Sequence, residues 1–358
     1  RDEGEHMSDT ITQFDNYLSP DGPAALVIRE HLMPVEGADG VFFPSTFADI
    51  GYNVDYEDAR NKTGRNIALI DSAGSQANRI EPMFAEGAYA GLIPQIKIKA
   101  GEKTVNLIDV GHRAGDAIAR CSALQDELQQ AFKEVLKGNA LPLAKVAPTS
   151  LVFGVWDSRD TQAKLPRLIA STVRAFDVRK LTRSATYFAP MDYVSEGVLA
   201  ASDAEKAEGS SKNPLSSTGF VNALATGTHG GVVSDGGIRR DATLALSALK
   251  LLKADNDEET CKLQRYILGL ALVAFTKLPL GFYRQGTILV LDPDKPREFS
   301  EVALNGARTS VMISHENALA FAQAAAKAFG VGESREVAFN KDTAKKNIAE
   351  AKKKKGKE

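Results

Sequence analysis

The sequence predicts an α+β fold, on three observations. Apolar strand-like runs and segments of helical period follow one another without the regular alternation of a doubly wound sheet. Two runs, 93–98 and 105–110, flank the turn Ala100-Gly101-Glu102-Lys103 and read as a strand pair. A long Ser/Gly-rich stretch, 196–237, carries few large apolar residues and reads as a protruding insertion rather than core.

Along the chain, 26–32 reads as a first strand, and 37–65 is polar and Gly-rich with little periodicity. Residues 67–70 form a strand that runs into a turn at Asp71-Ser72-Ala73-Gly74 and then a helix. Residues 113–137 have helical spacing, and Gly138-Asn139 supplies the stop. Residues 151–156 read as an apolar strand, and 165–176 as a helix with Pro166 in its first turn. A short strand is expected at 186–188, helices at 241–252 and 258–277, a strand at 287–291 and an Ala-rich helix at 316–329. The tail from Lys341 carries eight lysines and no apolar face, so a disordered or loosely helical segment is expected.

The chain has 358 residues, 43% hydrophobic and 25% charged, which is a globular composition. The longest apolar run, 267–275, is too short to span a bilayer, and no membrane partner is expected. No signal peptide is visible, and residues 1–6, before Met7, read as an expression scar. Cys121 and Cys261 read as buried thiols of a reducing compartment. The net charge of −2 argues against coating nucleic acid by bulk charge, and leaves room for a local basic track.

Strand, Asp-Ser-Ala-Gly and helix together suggest a nucleophile elbow with Ser72 as the nucleophile of a serine hydrolase. That elbow needs Gly two residues before the serine, and Ile70 stands there. The oxyanion loop belongs upstream, whereas His229-Gly230-Gly231 lies downstream. His112, in "DVGHRAGDA" with Asp109 and Asp116 near, is a candidate general base or a capping residue. No phosphate loop and no zinc spacing are present, so no metal or cofactor is expected.

Ser72, Ser75, Gln76, Asn78 and Arg79 together offer hydroxyls, amides, a helix N-terminus and a guanidinium. That set suits phosphate and ribose oxygens, and equally a solvated helix cap. A second block repeats the grammar: Trp156, Ser158, Arg159, Gln162, Lys164 and Arg167. From Trp156 to Ala185 there are seven Lys or Arg against three Asp, a local surplus of four. Trp156, the one tryptophan, is a base-stacking candidate or a core residue. Arg239 and Arg240 follow the insertion as candidate backbone clamps. A generic single-strand RNA binder fits these residues as well.

The motifs "FFPSTFA", "IDSAGSQANRIE", "DVGHRAGDA", "LVFGVWDSRDTQAKLPRLIAS", "VRKLTRSA" and "THGGVVSDGGIRRD" resemble the Cascade backbone subunit of type I-G (formerly I-U) CRISPR systems. This is the Cas-seven branch of the repeat-associated mysterious protein (RAMP) superfamily, and the resemblance covers most of 26 to about 329. It implies an RRM-like (ferredoxin-like) palm with a helical fingers insertion and an extended thumb hairpin. The domain would span 7–330, with fingers at about 37–140, a thumb at about 190–237 and a lysine-rich tail at 331–358.

The resemblance also implies partners: CRISPR RNA, target DNA paired through that guide, copies of the chain stacked head to tail, other Cascade subunits and a helicase-nuclease. The subunit itself would be non-catalytic and cytoplasmic in a prokaryote. Implied RNA contacts are the run from Ser75 to Arg79 and the block from Trp156 to Arg167, with Ser72, His112, Arg113, Arg183, His229, Arg239 and Arg240. Met191, Leu215, Phe220 and Val221 are possible wedge residues of the thumb. Asp49, Asp55, Asp58 and Asp71 are loop-like candidates for the target-RNA cleavage found in other RAMP backbones.

Overall fold

The computed structural model describes residues 10–208 and 213–355; the scar expected at 1–6 lies outside them. Among the described residues, nine strands form one antiparallel sheet. Its central member is β1 (Ala25–Pro34), where every second side chain is buried, as a period of two requires. β2 (Val54–Asp58) and β3 (Thr63–Asp71) make an edge hairpin within the stretch expected to be irregular. β3 leads directly into helix α1 (Ala73–Ile80).

Outside the main sheet, β4 (Ile96–Ala100) and β5 (Lys103–Asn106) form the expected hairpin. The single helix expected over 113–137 is broken into a 3-10 turn, a short helix Ala117–Arg120 and α2 (Gln125–Leu136). Ser122 makes the break: its Oγ donates to the Ala119 carbonyl and accepts from the Leu124 N–H, and its backbone bridges to Phe339. The first half of the apolar run at 151–156 is not strand but part of a fully buried turn of helix, α3 (Thr149–Phe153), and only Val155–Trp156 is strand.

The largest correction is at 165–176. The structure makes Ile169–Phe176 a central strand, β6, with alternating burial. It carries β-branched Ile169, Thr172 and Val173 and pairs with β9 along its length and with β3 from Val173 on, so packing overrides the helical spacing. β7 (Val178–Tyr187) follows after one residue and pairs with β8 (Ala223–Ser234), a long hairpin that begins before the expected insertion. β8 continues into β9 (Ile238–Ala245), which pairs β1 and β6 where helix was expected.

The long helices stand as expected: α4 (Asp257–Thr276) and α5 (His315–Phe329). Between them β10 (Phe282–Arg284), β11 (Thr287–Leu291), β12 (Glu298–Val302) and β13 (Arg308–Ser310) complete the sheet, which reads β10-β11-β1-β9-β6-β3-β2 with β12 beside β1. β14 (Arg335–Ala338) adds in parallel to β4, and the lysine tail forms helix α6 (Lys341–Lys355). No helix among the described residues is long and apolar enough to cross a membrane.

α4 is apolar on nearly all sides and packs on α5 and on one face of the sheet. The same sheet face carries a second, smaller cluster with Leu32, Ile70, Ala175 and Ile238. The helix crossing is tight at Gly269, where a Cβ would lie 2.8 Å from the Ala322 Cα. Gly269→Leu is therefore expected to destabilise the chain by about 1–3 kcal/mol through overpacking. Urea unfolding measures this; an unchanged midpoint would remove the crossing from the packing argument.

Candidate nucleic-acid interface

The two polar blocks of the sequence meet at one surface, and a buried ionic row underneath positions them. Strand pairing places Glu30, Arg240, Val173 and Asp71 side by side across β1, β9, β6 and β3. Arg240 Nε donates to Glu30 Oε2 at 2.5 Å, and its Nη1 donates to Ser171 Oγ at 3.3 Å. Ser171 donates to Gln76 Oε1 at 2.9 Å, and Gln76 Nε2 donates to Asp71 at 2.6 Å. Asp71 also accepts from Ser75 Oγ at 2.6 Å and Arg79 Nε at 3.0 Å. Arg297 lies 2.8 Å from the other Glu30 oxygen, and Arg284 reaches the Ile70 carbonyl.

Helix α1 is thus pinned by one face. Ser75, Gln76 and Arg79 point to Asp71, while Ser72 and Asn78 are exposed. Ser72 caps the helix: its Oγ accepts from the Ser75 N–H at 3.2 Å, and no histidine among the described residues hydrogen-bonds to it. The first turn of α1 itself carries no acidic residue, and the nearby Asp71 carboxylate is taken up by Ser75, Gln76 and Arg79.

Arg167 lies over that helix end. A Cβ on Gly74 would be 3.5 Å from Arg167 Nη2 and 3.9 Å from Ser72 Oγ. The stem of Arg167 runs along Gly154, where a Cβ would meet its Cγ at 3.0 Å. Asn78 in turn lies beside Gly111, next to exposed His112. Trp156 is 56% exposed, which removes it from the core, and Lys164 Nζ sits 5.5 Å from its ring centroid. Arg159, Lys164 and Arg167 have no carboxylate partner among the described residues.

The other predicted residues fall into two groups. Arg113 is buried, with Nε 2.7 Å from Glu81 and Nη1 donating to the Gly154 carbonyl. It holds a left-handed φ of 51° there and ties the His112 loop to the Trp156 strand. Arg240 belongs to the ionic row, and Arg239 pairs with Asp241 over the Phe176 ring. Gln162, also left-handed at φ 62°, donates to the Ser158 carbonyl and closes the loop between Trp156 and Lys164.

Arg183 is exposed on the β7–β8 hairpin, and His229 packs 4.8 Å from the Tyr52 ring at the hairpin's flank. Of the wedge candidates, Met191 and Phe220 are exposed, Leu215 is half-buried, and Val221 is buried at 4%. Asp55, Asp58 and Asp71 lie in strands rather than loops, and Asp71 is fully engaged. No group of three or more His, Cys, Asp or Glu able to hold a metal occurs among the described residues, where both cysteines are free.

The sequence reading missed Glu30, Arg284 and Arg297. The signal for Glu30 was there: it occupies the buried parity of β1 between Ile28 and Leu32. A charge at such a position needs a buried partner.

Glu81, beneath the site, has its pKa pushed up to about 7 by burial, against the opposing pull of Arg113. The folded chain therefore holds this proton more tightly than the unfolded chain. The resulting stability is complete below the ordinary carboxyl value of 4.5 and is lost as pH rises through about 7. Glu81→Gln should flatten the pH dependence of the unfolding midpoint across that window. An identical slope in the variant would assign it to other groups.

Residues 26–180 match the family model described as CRISPR-associated protein GSU0053 (Cas_GSU0053). No curated protein matches the chain. The matched span holds both polar blocks, α1 and the Arg113–Glu81 tie, and it supports a CRISPR-associated protein with a role in CRISPR defence.

Proposed function

We propose that the chain is the guide-RNA-binding backbone subunit of a type I CRISPR surveillance complex, of the type I-G Cas-seven kind. The observation that carries this reading is Arg167, which has no carboxylate partner among the described residues and lies over the N-terminus of α1, with Lys164 beside the exposed Trp156 ring. Exposed Ser72, Asn78, His112 and Trp156 complete a surface with donors for phosphate and ribose and one aromatic face for a base.

The β7–β8 hairpin supports the same reading as the thumb. It carries exposed Tyr187, Phe188, Met191 and Phe220, apolar groups suited to wedge between stacked bases. In this reading copies join head to tail along the guide, which presents itself to target DNA. Other Cascade subunits cap the row, a separate helicase-nuclease cuts, and this subunit performs no chemistry. The setting is the prokaryotic cytoplasm.

The test is co-expression with a CRISPR array and partner subunits, purification, and a denaturing gel of the bound nucleic acid. A discrete guide-length RNA in a large multimer supports the proposal; a nucleic-acid-free monomer refutes it, and RNA of mixed length points to a generic single-strand binder. Lys164→Ala with Arg167→Ala should shift the unfolding midpoint little, since both side chains are exposed and neither has a carboxylate partner among the described residues. The slope of log K against log salt should fall by about 0.7 for each phosphate left without its cation. An unchanged slope in filter binding would take these two residues off the RNA path.

A further inference from the structure

A cleft of about 280 Å³ opens beside the far end of α1, between the turn Glu81–Ala85 and the segment 277–283. Its walls are apolar, from Ile80, Met83, Leu280 and Phe282, and its floor includes Arg240 and Tyr283. Both floor side chains have donors to spare. Arg240 is 3% exposed, and after Glu30 and Ser171 are served its Nη2 has no partner. Tyr283 is 5% exposed, and its hydroxyl makes no hydrogen bond among the described residues; only its carbonyl is used, by Arg79.

The charge around the floor is also unbalanced. Two buried carboxylates, Asp71 and Glu30, face four guanidinium groups: Arg79 and Arg284 on Asp71, Arg240 and Arg297 on Glu30. Lys277 at the rim, its Nζ 4.6 Å from the Tyr89 ring centroid, adds another cation, and Glu86 is the one carboxylate among the lining residues. A cation excess around a floor with idle donors favours an anion, and apolar walls favour an anion with a hydrophobic body.

We propose that this cleft binds a small organic anion, its carboxylate or phosphate held by Arg240, Tyr283 and Lys277 and its apolar or aromatic body lodged against Met83, Leu280 and Phe282. The proposal does not depend on guide binding, because the cleft lies within one copy of the chain.

Calorimetric titration of the full chain, freed of nucleic acid, tests it with three probes: adenosine 5′-monophosphate, octanoate and inorganic phosphate. At least one organic probe is expected to saturate one site, and more tightly than phosphate does. Tyr283→Phe and Lys277→Gln should each weaken that binding by about tenfold, the scale of one hydrogen bond to a charged group. Tyr283→Phe should not change the unfolding midpoint, since its hydroxyl has no intramolecular hydrogen bond to lose; Lys277→Gln gives up only the contact with the Tyr89 ring. Binding of the nucleotide alone would identify a nucleotide site, and binding of octanoate a carboxylate site. The proposal is overturned if neither organic probe binds, if phosphate binds as tightly, or if both variants bind like the parent.

Discussion

A row of buried charge divides the core of this protein. On the covered face of the sheet, Leu26, Ile28, Ile169, Ala242 and Leu244 belong to the cluster under α4. Leu32, Ile70, Ala175 and Ile238 belong to the second cluster. Between them, across four strands, stand Glu30, Arg240 and Asp71, with Ser171 and Gln76 linking them. Such a row does little for net stability compared with an apolar core, yet removing one member costs about 3–5 kcal/mol because its partner is stranded. It also specifies register. A slip of one residue in β1 would put Glu30 on the other face and leave Arg240 without its carboxylate.

The same row explains why one short helix serves both core and surface. α1 has eight residues, too few to be stable alone. Asp71 supplies what its length does not, by accepting from Ser75, Gln76 and Arg79 along one side. Ser75 and Gln76 thus fix the helix more than they face solvent, and the exposed donors are Ser72, Asn78 and part of Arg79. The neighbouring tie has the same logic. Arg113, held by Glu81, fastens the His112 loop to Gly154, which precedes the short strand Val155–Trp156 and along which the Arg167 stem runs toward the helix end.

Local chemistry made some of this legible in the sequence and hid the rest. The cap at Ser72, the helices α4 and α5 and the hairpin at Gly101 follow from short-range rules, and the structure has them. Arg159, Lys164 and Arg167, which open the basic surplus after Trp156, are exposed, while the backbone that follows is strand where the spacing predicts helix. Residues 169–176 and 238–245 sit in the middle of the sheet, paired on both sides, and there strand pairing decides the state. Arg113 and Arg240 look like any surface arginine in one dimension. Their carboxylates lie 32 and 210 residues away, beyond any local pattern.

The hairpin β7–β8 shows how the inside and the periphery are joined. It is a continuation of two central strands, β6 and β9, and is not grafted on an edge. Asp177, at φ 50°, turns β6 into β7. Asn66 secures that turn by accepting from the Val178 N–H and donating to its carbonyl. On the returning strand Ser234 Oγ bonds the Phe176 carbonyl, and Arg179 grips Asp235 with two hydrogen bonds. Farther out the pairing shifts register twice, past Lys180 and past Arg183, and the arms carry exposed apolar side chains. A firm root with a looser, apolar tip suits an arm that must conform to a partner while keeping its direction. The root meets the ionic row within three residues of Gly237, at Arg240. Whatever presses on the hairpin is therefore resisted by the charges that also hold α1 in place.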